Sequence, residues 1–121
     1  MINKKGVREK LHVVKLRITL KGKLVCLPEK VVLKPGDKII WRWSGAQDYP
    51  FGLVIKSPYT PLTRHFYTTS LKPGVEKKIE ANALKCAPAG HYHYLVAAYV
   101  DNRILVEDPE IIVRPPDKGG P

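Results

Sequence analysis

The residues best suited to chemistry are two histidines one position apart, His91 and His93, in the run GHYHYLV. On an extended strand, positions i and i+2 share a face and lie about 7 Å apart. With a third donor such as His65, a pair so spaced would hold Zn²⁺ or Cu²⁺. The same spacing joins Trp41 and Trp43, which on an exposed face would stack on sugar rings or bases. Cys26 and Cys86 do not form a CxxC pair. Bridged, they would close a loop of about 60 residues worth roughly 4 kcal/mol. Each sits among apolar or small residues, so the simpler expectation is two buried free thiols. Catalysis has no foothold, for the chain holds no nucleophile elbow, carboxylate pair or phosphate loop. It reads as a non-enzyme.

These residues lie on strands. Leu11 to Leu20 alternates, with Leu16, Ile18 and Leu20 on one face and Lys15, Arg17 and Thr19 on the other. Leu24 to Leu27 is a short strand stopped by Pro28, and Val31 to Leu33 is another. Lys34-Pro35-Gly36-Asp37 predicts a type II turn, because proline presets φ at its second position and glycine supplies a positive φ at its third. Lys38 to Trp43 follows as a strand with Ile39, Trp41 and Trp43 on one face. The turn chemistry recurs at Leu71-Lys72-Pro73-Gly74, ahead of an expected strand from Val75 to Ala81. Phe51 to Lys56, His65 to Thr69 and a final hairpin from Gly90 to Val113, turning at Asp101-Asn102, complete the set. No stretch keeps a 3.6-residue period over a normal helix length. The class is all-β, mostly antiparallel with little helix, in seven to eight strands.

One domain accounts for the 121 residues. Residues 1–9 are expected to be a flexible basic arm, residues 10–113 the domain, and residues 114–121 a Pro/Gly-rich tail. The first 23 residues hold eight basic side chains against Glu9 alone, a local +7 out of the +10 of the whole chain. Such a concentration is either a plain solvated face or an attraction to something anionic: an acidic protein partner, a membrane surface, or less well nucleic acid or another polyanion, since no nucleic-acid motif accompanies it. No apolar run approaches the ~20 residues of a membrane span. The opening MINKKGVREK has no apolar segment behind its charges, so the expected location is cytoplasmic as written, and extracytoplasmic if a signal precedes it.

The order of these signals resembles the cupredoxin family. It runs through Lys34-Pro35-Gly36-Asp37, an inward Trp41, a loop to Pro50, Phe51-Gly52-Leu53-Val54-Ile55, Lys72-Pro73-Gly74 and Gly90-His91-Tyr92-His93-Tyr94. The resemblance covers roughly residues 30–113 and implies a cupredoxin-like Greek-key β-sandwich. It also implies where type 1 copper ligands would stand. The first histidine's place holds Phe51 or Pro50, the cysteine's place holds Val96, and Ala97 to Arg103 offers neither histidine nor methionine. A blue-copper centre needs a thiolate and two imidazoles. The expectation is therefore no type 1 copper, no electron transfer and no cofactor.

In that architecture the loops Ser44–Pro50 and Ser57–Arg64 and the tip around Val96–Arg103 are expected to gather at one end. They would bring together Tyr49, Phe51, Tyr59, Leu62, Tyr99 and Arg103, residue types common at binding hot spots. With Lys15 and Arg17 on the basic strand, they form the candidate contact set of a metal-free binding or accessory subunit. The alternatives are a Cu/Zn protein built on His91, His93 and His65, and a module for polyanions or carbohydrate.

Overall fold

The computed structural model describes residues 9–115, so all but the last residue of the expected arm and most of the expected tail lie outside the described residues. Ten strands follow in chain order: β1 Leu11–Ile18, β2 Leu24–Leu27, β3 Lys30–Leu33, β4 Lys38–Trp43, β5 Phe51–Ile55, β6 Phe66–Thr68, β7 Lys78–Asn82, β8 Gly90–Val100, β9 Arg103–Glu107 and β10 Glu110–Val113. They make two sheets. One has the order β2-β1-β4-β7; the other runs β3-β10-β8-β5-β6, with β9 also paired to β8. Two neighbouring pairs, β1 with β4 and β3 with β10, are parallel, and the remaining pairs are antiparallel. This is the all-β arrangement of two sheets that the sequence led one to expect.

Strict alternation explains why the sheets stack. In β4, Ile39, Trp41 and Trp43 are buried and Lys38 and Arg42 exposed; in β8, Tyr92, Tyr94, Val96, Ala98 and Val100 are buried. Each fully buried large side chain contributes about 1.5–3 kcal/mol. Two polar groups share this interior and find each other: Trp41 Nε1 donates to the Tyr94 hydroxyl at 3.0 Å, with the rings edge to face at 5.8 Å. An edge-to-face pair adds about 0.5–1.5 kcal/mol.

The Lys34–Asp37 turn forms as predicted, with Asp37 N donating to Lys34 O at 3.0 Å and Gly36 at φ +89°. The buried Asp37 carboxylate then ties this turn to the start of β1. It accepts from Lys10 N at 3.2 Å and Lys34 N at 3.1 Å, and its Oδ2 lies 2.8 Å from His12 Nε2. At the other end of the sandwich, Lys77 is buried, its ammonium donating to the carbonyls of Lys72 and Val75 and its amide to Asp48 Oδ1.

Three local expectations need correction. Leu20 is fully exposed, because Gly22 N donates to Thr19 O and the chain turns away before Leu20 can reach the core. The strand expected from Val75 begins at Lys78, since Val75 N still closes the preceding turn on Lys72 O and Lys77 is held by loop carbonyls. The strand number exceeds seven to eight partly because Asp108-Pro109 divides the last return into β9 and β10. That division leaves the pairing intact. Val96 opposes Glu107, Tyr94 N donates to Pro109 O, and His93 opposes Glu110, all in one register with β8.

Candidate interaction faces

Strand direction decides which side chains can act together. β4 and β8 run toward the same end, where the Ser44–Pro50 loop, the 69–77 loop and the Asp101-Asn102 turn lie together. Asp101 and Asn102 have φ of +49° and +64°, the backbone of a tight hairpin turn. β5 is antiparallel to β8, so the Ser57–Arg64 loop that follows it sits at the opposite end, where Leu62 bridges Ala83. The expected gathering of three loops is thus corrected to two. Tyr59 is exposed but remote from Tyr99.

The other aromatics of that expected surface face inward. Phe51 is buried against Trp43, with ring centroids 6.2 Å apart, and Tyr49 packs half-buried at 5.5 Å from the same indole. Trp43 Nε1 donates to Tyr49 O at 2.7 Å. These three rings fill the end where the resemblance would put a metal, and the Trp41/Trp43 stacking platform is not present, since both indoles are core. Val96, at the expected thiolate position, is fully buried opposite Leu53.

The tip is also divided. Tyr99 lies on the outer face, its hydroxyl donating to Asn102 Oδ1 at 3.0 Å, whereas Arg103 turns the other way and lays its guanidinium beside Gly22. Arg103 therefore belongs with the turn between β1 and β2.

The histidine pair lies on the outer face as alternation requires. His65 does not join it, for its Nε2 contacts the carbonyl oxygens of Ser57 and Pro58. The third group is instead Glu110 across the ladder, whose Oε2 is 2.7 Å from His91 Nδ1 and 3.9 Å from His93 Nε2. Among the described residues no group of three or more His, Cys, Asp or Glu is arranged to hold a metal ion. Of the two thiols only Cys26 is buried, and burial, with smaller effects from Glu107 and Glu29, pushes it up to about 12. Cys86 is exposed, because it sits in the turn that closes with Ala87 N on Leu84 O, outside any strand.

What the fold does assemble is a row of positive charge. The registers place Lys15 opposite Arg42 and Arg42 opposite Lys78, on the outer face of three adjacent strands. Strands lie about 4.8 Å apart, so the row is about 10 Å long. Arg17 stands one step along β1 on the same face. Lys78 has Glu76 at 3.9 Å; among the described residues neither Lys15 nor Arg42 has an acidic partner. Like charges directly opposite one another destabilise a sheet. Sequence reasoning found Lys15 and Arg17 and missed Arg42 and Lys78. Their outward parity was readable, but the parallel pairing of β1 with β4 that aligns them was not.

The second outer surface, over β6, β5, β8 and β9, is apolar. Its outward positions are Phe66, Val54 and Leu95 in one row, Thr68, Gly52, Ala97 and Val106 in the next, and Tyr99 with Ile104 in a third.

No family model matches the sequence, and no curated protein matches it. Among solved structures, a reduced Cu(I) form of an amicyanin mutant is similar at 16% identity and TM-score 0.46, covering 91% of this chain and 88% of that one. A second Cu(I) amicyanin mutant gives 16% and 0.49 with the same coverage. A pseudoazurin from Sinorhizobium gives 16% and 0.45, covering 88% of this chain and 76% of that one. Amicyanin and pseudoazurin are cupredoxins.

Proposed function

We propose that this chain is a non-catalytic binding or accessory domain whose basic sheet face takes an acidic protein partner. The observation that carries it is the in-register row Lys15–Arg42–Lys78, flanked by Arg17. A bare sheet bears the cost of that row in repulsion; an apposed carboxylate surface turns it into attraction and speeds encounter. The cations are not accompanied by any nucleic-acid-binding motif, which favours a folded acidic surface over a nucleic acid. The aromatic loops are support for this face, since Tyr49 and Phe51 pack beneath it against Trp43.

Titration with a glutamate-rich peptide, followed by calorimetry at low and moderate salt, tests the reading. Binding is expected to weaken by about tenfold or more as salt rises through the physiological range. Lys15→Glu with Arg42→Glu should abolish it. Retained binding in that variant, or none in the parent protein, would refute the proposal. Tighter binding to heparin or an oligonucleotide than to the peptide would favour the polyanion reading instead.

A further inference from the structure

The apolar face is independent of the basic one and points to a different partner: we infer that two copies of this chain associate through it, sheet face to sheet face. Five large side chains stand out on this surface, Phe66 at 62% exposure, Leu71 at 81%, Tyr99 at 50%, Ile104 at 68% and Val106 at 58%. Together they expose on the order of 600 Å² of apolar area, at the top of what a monomer ordinarily leaves uncovered. With Val54, Leu95 and Ala97 between them, the patch nears the roughly 800 Å² per partner of a standard interface.

Its relief suits a second copy. The row Thr68–Gly52–Ala97–Val106 is low at its centre and flanked by the taller rows of Phe66–Val54–Leu95 and Tyr99–Ile104. Between the low row and Leu71 runs a groove of about 400 Å³, lined by Pro50, Gly52, Leu71, Ala97, Tyr99 and Ile104. A two-fold axis through the patch would set a ridge of each copy against the groove of the other, the self-complementary contact that an isologous dimer requires. The low centre is built in: a Cβ on Gly52 would come within 3.0 Å of Tyr67 O and 3.3 Å of Thr68 Cγ2.

Charge argues the same way. The chain carries +10, and its copies repel one another. None of the outward positions named for this face is charged, the exposed Lys56–Asp108 ion pair stands at its edge beside Leu95, and the basic rows of the two copies stay on the outside.

Sedimentation equilibrium across the micromolar range decides the matter. The expected result is a concentration-dependent mass rising toward twice the monomer value. Leu71→Lys with Ile104→Lys should weaken association at least about tenfold, with the near-ultraviolet circular dichroism of the two indoles unchanged. Leu71→Lys alone should give a smaller loss, and because Leu71 lies outside every strand it leaves the ladders whole even if the double variant folds poorly. Lys15→Glu with Arg42→Glu should leave the dimer intact. A parent protein monomeric throughout, a dimer unmoved by the Leu71 and Ile104 changes, or one broken by the Lys15 and Arg42 changes would overturn the inference.

Discussion

On the four-stranded sheet the outward positions of β1, β4 and β7 include Lys15, Arg17, Lys38, Arg42, Lys78 and Glu80. On β5, β6, β8 and β9 they include Val54, Phe66, Leu95, Ala97, Tyr99, Ile104 and Val106, with His91 and His93 at the start of β8. The inward positions of both sheets are interchangeable in kind: Val14, Leu16, Ile39 and Trp41 from one, Leu53, Tyr94, Val96 and Ile111 from the other. Inside, the two sheets answer to the same demand for close packing. Outside, they face different surroundings, and the difference between cations and hydrocarbon is where function would be written. A fold explains the first half of every strand's pattern and leaves the second half free.

Raising the pH tests whether the two inner faces really behave alike. Each contributes a buried acid, Cys26 from β2 and Tyr94 from β8. Burial pushes both upward, the thiol from 9.0 to about 12, and the Trp41 hydrogen bond only partly offsets the rise for the phenol. The unfolded chain releases these protons first. Stability is therefore whole below about pH 9 and falls as pH climbs toward the folded values, by up to about 1.4 kcal/mol per unit for each group. Urea midpoints measured from neutral pH upward should fall by an amount corresponding to a few kcal/mol. Cys26→Ala should flatten the early part of that decline. A flat profile would mean the interior is wetter than its packing implies.

The next test breaks the apolar face without adding charge. Gly52→Val must move Tyr67 O or shift β5, and should cost about 1–3 kcal/mol, read as a lower urea midpoint. The smallest effect sharpens the charged face. Arg42→Gln removes the middle of the cation row and should stabilise the isolated protein by about 0.2–1 kcal/mol, with the gain shrinking as salt rises. A loss of stability there would show that the row is compensated by something other than a partner.

Much of this was legible in the sequence wherever a rule is local. The Lys34–Asp37 turn, the inward tryptophan and the alternation of His91 to Val96 each follow from a few neighbouring residues. What stayed hidden depends on pairing at a distance. Alternation says that Lys15 and Arg42 point outward, but only the parallel register of β1 and β4 sets them side by side. The end at which the Ser57–Arg64 loop sits is hidden because strand direction, unlike strand parity, leaves no trace in composition. The exposure of Cys86 is hidden for a related reason: small apolar neighbours accompany a buried strand and a tight turn equally well.

The uninterrupted register of β8 with β9 and β10 has one further consequence, which is arithmetical. Asp108 and Pro109 take up two places, an even number, so the alternation on either side of them stays in phase, and Leu105 and Ile111 look toward the same interior. A single extra residue there would reverse the phase of everything that follows. Ile111 and Val113 would turn to water and Glu110 and Ile112 toward the core, whereas two extra residues would only lengthen the bend. For this hairpin, the tolerance for insertion is a matter of odd and even.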